Sequence, residues 1–326
     1  MSAAVACRLA RPEEQAAVVR FLDEHWGEKH PLVHLPEFFS FYYDHGAGLQ
    51  FAFAEDESGP VAVVGYILAN RAQCPDIWVS IWCAKKKHNG AGLELMAALP
   101  GLTGARVMAC NNIRPKTMAF YEFLGYTAAR LPHYYRLADK AVYQVARVAD
   151  KVILPVSEGP ALQRVPDEAA LAACYAPDPA LRPYKDLWYL TRRYFHYPRQ
   201  QYEVWQLEGA LLVTRTVDVA GARVLRVVDY VGAPERFPAF GPGIHRLLRE
   251  SGAEYADCYC AGIPAAVMAA AGFAERREDC PNVLPNYLTP LLRENTEYYY
   301  FTSDPANFMM FKADGDQDHP NLSPTP

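Results

Sequence analysis

No Cys-x-x-Cys pair occurs in these 326 residues: Cys7, Cys74, Cys83, Cys110, Cys174, Cys258, Cys260 and Cys280 are scattered. That argues against a disulfide framework or a zinc site, and no metal is expected. No apolar run is long enough to cross a bilayer. Arg8, Arg11, Glu13 and Glu14 arrive before any stretch that could serve as a signal peptide, so cytoplasmic residence is expected. An excess of positive charge is missing too. The net charge of −5 excludes a general nucleic-acid or anionic-membrane surface. What remains is a globular chain, 51% hydrophobic, long for one domain and comfortable for two.

The most specific stretch covers residues 77–99, IWVSIWCAKKKHNGAGLELMAAL. An apolar strand pattern runs into a basic turn with two glycines and then into a helix, which is the arrangement of an anion site: backbone N–H groups approach the ligand, and the helix dipole favours negative charge. A solvated surface turn would account for Lys85 to Lys87 alone, but not for Gly90 and Gly92 behind them. Two other phosphate motifs are absent. A Walker loop needs Lys-Ser/Thr after its last glycine, where this chain has Leu93; a dinucleotide fingerprint needs a third glycine, where it has Leu95. Residues 114–126, RPKTMAFYEFLGY, give a second strand-to-helix unit.

In order and spacing these two segments resemble motifs A and B of the GNAT acyl-CoA-dependent N-acyltransferases. Lys87, Gly90 and Gly92 match the first motif, and Tyr121, Leu124, Gly125 and Tyr126 the second. Lys87 replaces the usual Arg or Gln, and Arg114 stands where the family often has Asn, so positive charge is kept or added. The resemblance implies acetyl-CoA, or another acyl-CoA, as co-substrate. Its pyrophosphate would lie on Lys87, His88, Asn89, Gly90, Ala91, Gly92 and Leu93, near Arg114. The strand backbone at Ile81, Trp82 and Cys83 would grip the pantetheine arm and polarise the acyl carbonyl. Tyr121 would protonate the departing thiolate. A core aromatic is the bland reading of Tyr121, but Phe120 and Phe123 already offer an apolar side to that helix.

The first half reads β-α-α-β-β-β-α-β-α-β, with a hairpin around residues 55–59 and a last strand over 127–136. Residues 224–231 and 253–273 match 77–84 and 106–126 at one shared offset of about 147, which points to a tandem duplication. The expected fold is α/β, a tandem GNAT fold with two mixed, mostly antiparallel sheets flanked by helices. Residues 1–150 would form the catalytic domain. Residues 151–326 would form a degenerate copy for acceptor binding or support, with a linker near 150–159. In that copy Met268 stands at the tyrosine position, Pro242 removes an N–H from Gly241-Pro242-Gly243, and Pro238 replaces the Arg or Gln.

The general base is left among His25, His133 and Asp76. Two-residue alternation puts Asp76, Trp78, Ser80 and Trp82 on one face of the central strand, expected to meet the cleft. His25, His30 and His34 lie between the first two helices, which by resemblance shape the acceptor pocket together with Trp26. His133 and Tyr134 end the last strand of the first half. In the second half, RYFHYP (193–198) carries His196, and the acidic run FKADGDQDHPN (311–321) carries Asp314, Asp316 and Asp318. That run alternates like a calcium loop but lacks the later glutamate. A frayed tail is its bland reading, opposed by the preceding aromatics at 298–301. LPHYY, RYFHYP and KADGDQDHPN resemble tandem-GNAT proteins of bacterial surface-polysaccharide and amino-sugar pathways, which implies a nucleotide-linked amino sugar as acceptor. An amino acid, polyamine or aminoglycoside-like amine is the alternative, and a non-catalytic acyl-CoA or sugar-binding module is a third reading. The oligomeric state is open.

Overall fold

The computed structural model describes residues 5–26, 29–45, 48–86, 88 and 90–321. In chain order the first half holds β1 (Ala6–Leu9), α1 (Gln15–His25), α2 (Pro31–His34), α3 (Pro36–Tyr43), β2 (Phe51–Asp56), β3 (Gly59–Leu68), β4 (Asp76–Ala84), α4 (Ala91–Thr103), β5 (Val107–Asn111), α5 (Met118–Phe123), β6 (Thr127–Leu131) and β7 (His133–Leu137). The second holds β8 (Gln163–Val165), α6 (Glu168–Cys174), α7 (Leu187–Phe195), β9 (Glu203–Leu207), β10 (Ala210–Val219), β11 (Ala222–Val231), α8 (Gly241–Glu250), β12 (Tyr255–Ala261), α9 (Ala265–Ala270), β13 (Ala274–Arg276), β14 (Tyr298–Thr302) and β15 (Met310–Phe311). Residues 151–162 form neither helix nor strand. None of the described helices is long and apolar enough to cross a membrane.

Two sheets result, with strand orders β1-β2-β3-β4-β5-β14-β6 and β13-β7-β12-β11-β10-β9-β8. Read from its β8 edge, the second repeats the first position by position. In each, one central pair is parallel, β4 with β5 and β11 with β12, and every other pair is antiparallel. The sheets exchange a strand. β7 enters the second sheet between β12 and β13, and β14 returns from the far end of the chain to sit between β5 and β6. The single strand expected over 127–136 is therefore two strands in two sheets. Pro132 separates them; it has no N–H to give to a ladder, and its carbonyl accepts instead from Cys260 N at 3.0 Å. Strands thus cross residue 150 in both directions.

Beyond their paired stretch the parallel strands diverge. In the second sheet the gap is filled by the chain itself: β15 pairs with β12 at Cys260 and Ala261, and Ala313 N bonds Val228 O of β11 at 2.9 Å. The N-terminus of α8 is covered as well. A Cβ on Gly241 would lie 2.8 Å from Val156 Cγ1, and one on Gly243 would overlap Leu162, both from the connecting segment. Met268 is fully buried.

From β15 the chain runs back toward the first sheet, held by buried polar contacts. Asn111 Nδ2 donates to the Phe311 and Lys312 carbonyls at 3.1 and 3.3 Å. Arg193, 1% exposed, donates from Nε to Ala313 O at 3.1 Å and from Nη2 to Gln317 O at 2.8 Å, and lies 4.1 Å over the Tyr197 ring. The two distinctive motifs of the second half, RYFHYP and the acidic run, thus form one structure.

Candidate active site

The gap left between β4 and β5 in the first sheet is open. Their ladder pairs Asp76 with Val107, Ile77 with Met108 and Trp78 with Ala109, and ends there while β4 continues to Ala84. Against β3, Val64 pairs with Trp82 and Tyr66 with Val79, so three steps on β4 face two on β3, a bulge at Ser80-Ile81. The bulge resets the alternation. Trp78, Ile81 and Cys83 join the core under α3, whereas Ile77 and Val79 join the core under α4, with Trp82 packed against it. The expected common face is overturned for this reason: of Asp76, Trp78, Ser80 and Trp82 only Ser80 and Trp82 line the cleft, beside Val79, Cys83 and Ala84.

The cleft, about 600 Å³, is walled by residues from five separate stretches of chain: His25, Trp26 and His30; the outer half of β4; residues 110–121; Glu297 with Tyr299; and Asp316 with Gln317. Cys83, Arg114 and Tyr121 are among its lining. At its end α4 begins on Gly90 at φ +94°, a left-handed conformation that glycine adopts freely. Gly92 also lacks room: a Cβ there would lie 3.1 Å from Trp82 Nε1 and 3.2 Å from the Ala84 Cβ. Trp82 Nε1 donates to Gly92 O at 3.0 Å and fixes the turn against β4. The first N–H groups of the 13-residue α4, around Ala91 to Leu93, have no partner inside the helix. Ala91 N reaches only His88 O, at a long 3.4 Å; glycine conformation, close approach and the amides that follow fit a pyrophosphate. His88 lies 3.4 Å from Asp56; Lys87 and Asn89 lie outside the described residues.

Tyr121 is 4% exposed and lines the cleft, with its ring stacked on Phe301 at 4.2 Å. Phe120 and Phe123 are 50% and 77% exposed, the reverse of the expected arrangement, because β14 covers the tyrosine side of α5. Burial pushes the Tyr121 hydroxyl above the ordinary tyrosine range, as does the nearby Cys110, against a hydrogen bond from Thr117. Burial likewise pushes the Cys83 thiol up to about 11 and Cys110 well above its ordinary value, so neither is a ready thiolate.

Across the cleft, Asp316 Oδ2 accepts from Ser80 Oγ at 2.5 Å, and its Oδ1 accepts from Gln317 Nε2 at 2.8 Å. Ser80 Oγ also meets Tyr43 OH at 2.7 Å. His25 Nε2 and His30 Nδ1 are buried without a hydrogen-bond partner among the described residues. Burial lowers the His30 pKa, opposed by the charge of Asp316. His30 and Trp26 pack edge to face at 5.1 Å.

Several expected site residues lie elsewhere. Asp76 is fully buried in a bidentate pair with Arg106 (2.9 and 2.7 Å) and accepts from Tyr184 N at 2.6 Å. It is a structural carboxylate, not a base. His133 and Tyr134 leave with β7 for the second sheet. There His133 is fully buried, stacked on Tyr259 at 3.9 Å, with Arg276 Nε donating to its Nδ1 at 2.9 Å; burial and Arg276 hold its pKa well below the usual range. Tyr134 packs in the second core. His196 is exposed and paired with Glu168. Asp314 is buried 2.6 Å from Lys185, and Asp318 is bound by Arg215 at 2.7 and 2.9 Å. Glu297 and Tyr299, which reach the cleft only through the exchanged β14 and the loop before it, carried no recognisable signal in the sequence.

No family model matches the chain, and no curated protein matches it in sequence. Among solved structures it is similar to a conserved protein of unknown function and probable N-acyltransferase from Enterococcus faecalis V583. The TM-score is 0.52 at 11% identity, covering 92% of this chain and 72% of that one. It is similar as well to a GCN5-related N-acetyltransferase from Anabaena variabilis, with a TM-score of 0.49 at 13% identity over 92% and 72% of the two chains. A third such structure, from Kribbella flavida, gives a TM-score of 0.46 at 12% identity over 92% and 71%. Taken with the strand order, the first of these likenesses gives the chain the GNAT fold, an α/β architecture of two mixed, mostly antiparallel sheets flanked by helices.

Proposed function

We propose that the protein is an acyl-CoA-dependent N-acyltransferase, most simply an N-acetyltransferase, working in the cleft between β4 and β5. The observation that carries this reading is an open parallel-strand gap with Tyr121 and Asp316 in one cleft, and a glycine-bearing helix start packed against Trp82 and Ala84 of its wall. Bound acyl-coenzyme A supplies an activated thioester. The backbone of β4 at Ile81 to Cys83, open on the side that faces β5, holds and polarises its carbonyl. An amine placed beside Asp316 loses its proton to that carboxylate, directly or through water, with His25 and His30 the neighbouring bases. The nitrogen attacks the carbonyl carbon, the C–N bond forms as the C–S bond breaks, and the Tyr121 hydroxyl gives its proton to the thiolate; the second proton that the nitrogen sheds as the amide forms restores the tyrosine through water. Because Cys83 and Cys110 stay protonated, the transfer is direct, with no acyl-enzyme.

The proposed acceptor is the primary amine of a nucleotide-linked sugar, with a carboxylate and a serine hydroxyl available to its polar groups. An amino acid, polyamine or aminoglycoside-like amine is the competing class. Titration calorimetry tests the co-substrate. One acetyl-CoA per chain is expected, since the second sheet's gap is filled by β15 and the α8 N-terminus is covered. Gly90→Val should abolish that binding in a folded protein, because a β-branched residue cannot take φ +94° without strain. Two sites per chain would overturn the degenerate second copy, and a folded variant with unchanged affinity would remove the phosphate-turn assignment.

Asp316→Asn addresses the acceptor side. Turnover with amine should fall at least tenfold while acetyl-CoA affinity is kept, because the amide cannot accept an ammonium proton. Thiol release from acetyl-CoA, followed across a panel of amino sugars, amino acids and polyamines, measures it; equal turnover would move the base to His25 or His30.

A further inference from the structure

Beside the transfer cleft lies a second cavity of about 510 Å³, and the two share Asn112 and Gln317 as a dividing wall, joined by an Asn112 Nδ2 to Gln317 Oε1 hydrogen bond of 3.2 Å. Its charged lining is unusual. Arg215, Arg226 and Lys312 face it, with Asp318 as the one carboxylate among the described residues of its wall. Arg215 is committed to Asp318 through three hydrogen bonds. Arg226, 5% exposed, lies 3.4 Å from Asp257 and donates from Nη2 to Asn286 O at 2.5 Å, yet its buried Nε has no partner among the described residues. Lys312 is 6% exposed. Its Nζ sits 3.5 Å over the Tyr298 ring, and among the described residues it has no ion pair.

Pairing Arg215 with Asp318 and Arg226 with Asp257 leaves Lys312 as surplus positive charge. An ammonium buried without a counter-ion is among the costliest groups a fold can hold. Burial lowers its pKa to about 7, with Arg226 adding to the effect and Asp318, Tyr287 and Asp257 opposing it. A group of this kind on the wall of a cavity large enough for a ligand fits a counter-ion that arrives from outside. The tail makes the connection to the chemistry next door: Asp316 faces the transfer cleft, Gln317 the wall and Asp318 the second cavity.

We propose that this second cavity is the subsite for an anionic group of the acceptor, a phosphate or a carboxylate, with Lys312 and Arg226 as its cationic ligands. The inference rests on the acyl-transfer reading of the neighbouring cleft and narrows the acceptor to amines that carry such a group. Both anions ask the same of the protein, a surplus cation and a free N–H in a walled space.

The test is calorimetry on the full chain saturated with coenzyme A, which occupies the phosphate turn at α4, titrated separately with inorganic pyrophosphate and with succinate. Saturable binding of at least one anion is expected, weakened at least tenfold in Lys312→Met. Preference for pyrophosphate would identify a phosphate-bearing acceptor and preference for succinate a carboxylate-bearing one. Equal binding by the parent and a folded Lys312→Met, or no binding of either anion at millimolar concentration, would overturn the proposal. Native crystals soaked in tungstate give a variant-free check: anomalous density must lie within reach of Lys312 Nζ, and density only elsewhere counts against it. The coenzyme A titration reports separately on the transfer reading, so the two can fail independently.

Discussion

A chain ended after Phe311 is expected to lose its cooperative fold, not merely its acceptor. Of the segment removed, residues 312–315 and Asp318 are buried. Without it Arg193 loses the Ala313 and Gln317 carbonyls, Arg215 loses Asp318, and Lys185 keeps only Asp229 of its two carboxylates. The pair formed by Lys185 and Asp314 is held against burial, which raises the Asp314 pKa while Lys185 draws it down. Breaking a buried pair by removing one partner costs about 3–5 kcal/mol, and two such losses already approach the roughly 5–15 kcal/mol that stabilises a domain. Ala313 N also bridges to β11 and closes the gap of the second sheet. Thermal unfolding followed by circular dichroism is the measurement. A single sharp transition within a few degrees of the parent would show that the segment is surface after all. The same contacts separate the three acids of the run: Asp314→Asn should act on stability, Asp316→Asn on turnover.

The pattern of the first sheet and its glycine turn could be read from residues 77–126 because every signal there is local: a strand, two glycines at fixed spacing, a helix, and Tyr121 one unit later. What could not be read depends on contacts between distant parts of the chain. The exchange of β7 and β14 leaves no periodic trace, since either strand would look the same in its own sheet. It sent His133 and Tyr134 into the second core and brought Glu297 and Tyr299 to the cleft. The bulge at Ser80-Ile81 is equally silent, and it broke the alternation on which the polar face of β4 was assigned. Asp76 misled because a carboxylate at a strand start says nothing about the Arg106 that neutralises it thirty residues on. The acidic run is folded, as the aromatics ahead of it predict. Its three acids divide among three surroundings, and only Asp316 reaches the cleft.

Tyr121→Phe is expected to lower turnover by about 10²- to 10⁴-fold, the range of general acid catalysis, with the acetyl-CoA affinity unchanged. The ring is held by Phe301 at 4.2 Å and Trp82 at 5.7 Å, contacts that phenylalanine keeps, so the fold and the shape of the cleft should survive. Only the hydroxyl is removed. Burial raises the pKa of that hydroxyl, which keeps it protonated across the working range and makes it a weaker acid than an exposed tyrosine, so its proton is given only to the strongly basic thiolate. A proton is needed there only as the C–S bond breaks, so the loss should appear in kcat and in kcat/KM by the same factor. A structural tyrosine would behave otherwise, with a lowered melting temperature and a raised KM for acetyl-CoA as the wall of the cleft loosened. Steady-state kinetics and a melting curve on the one variant therefore distinguish the two roles. Parent-like turnover would return Tyr121 to the core and leave water to protonate the thiolate.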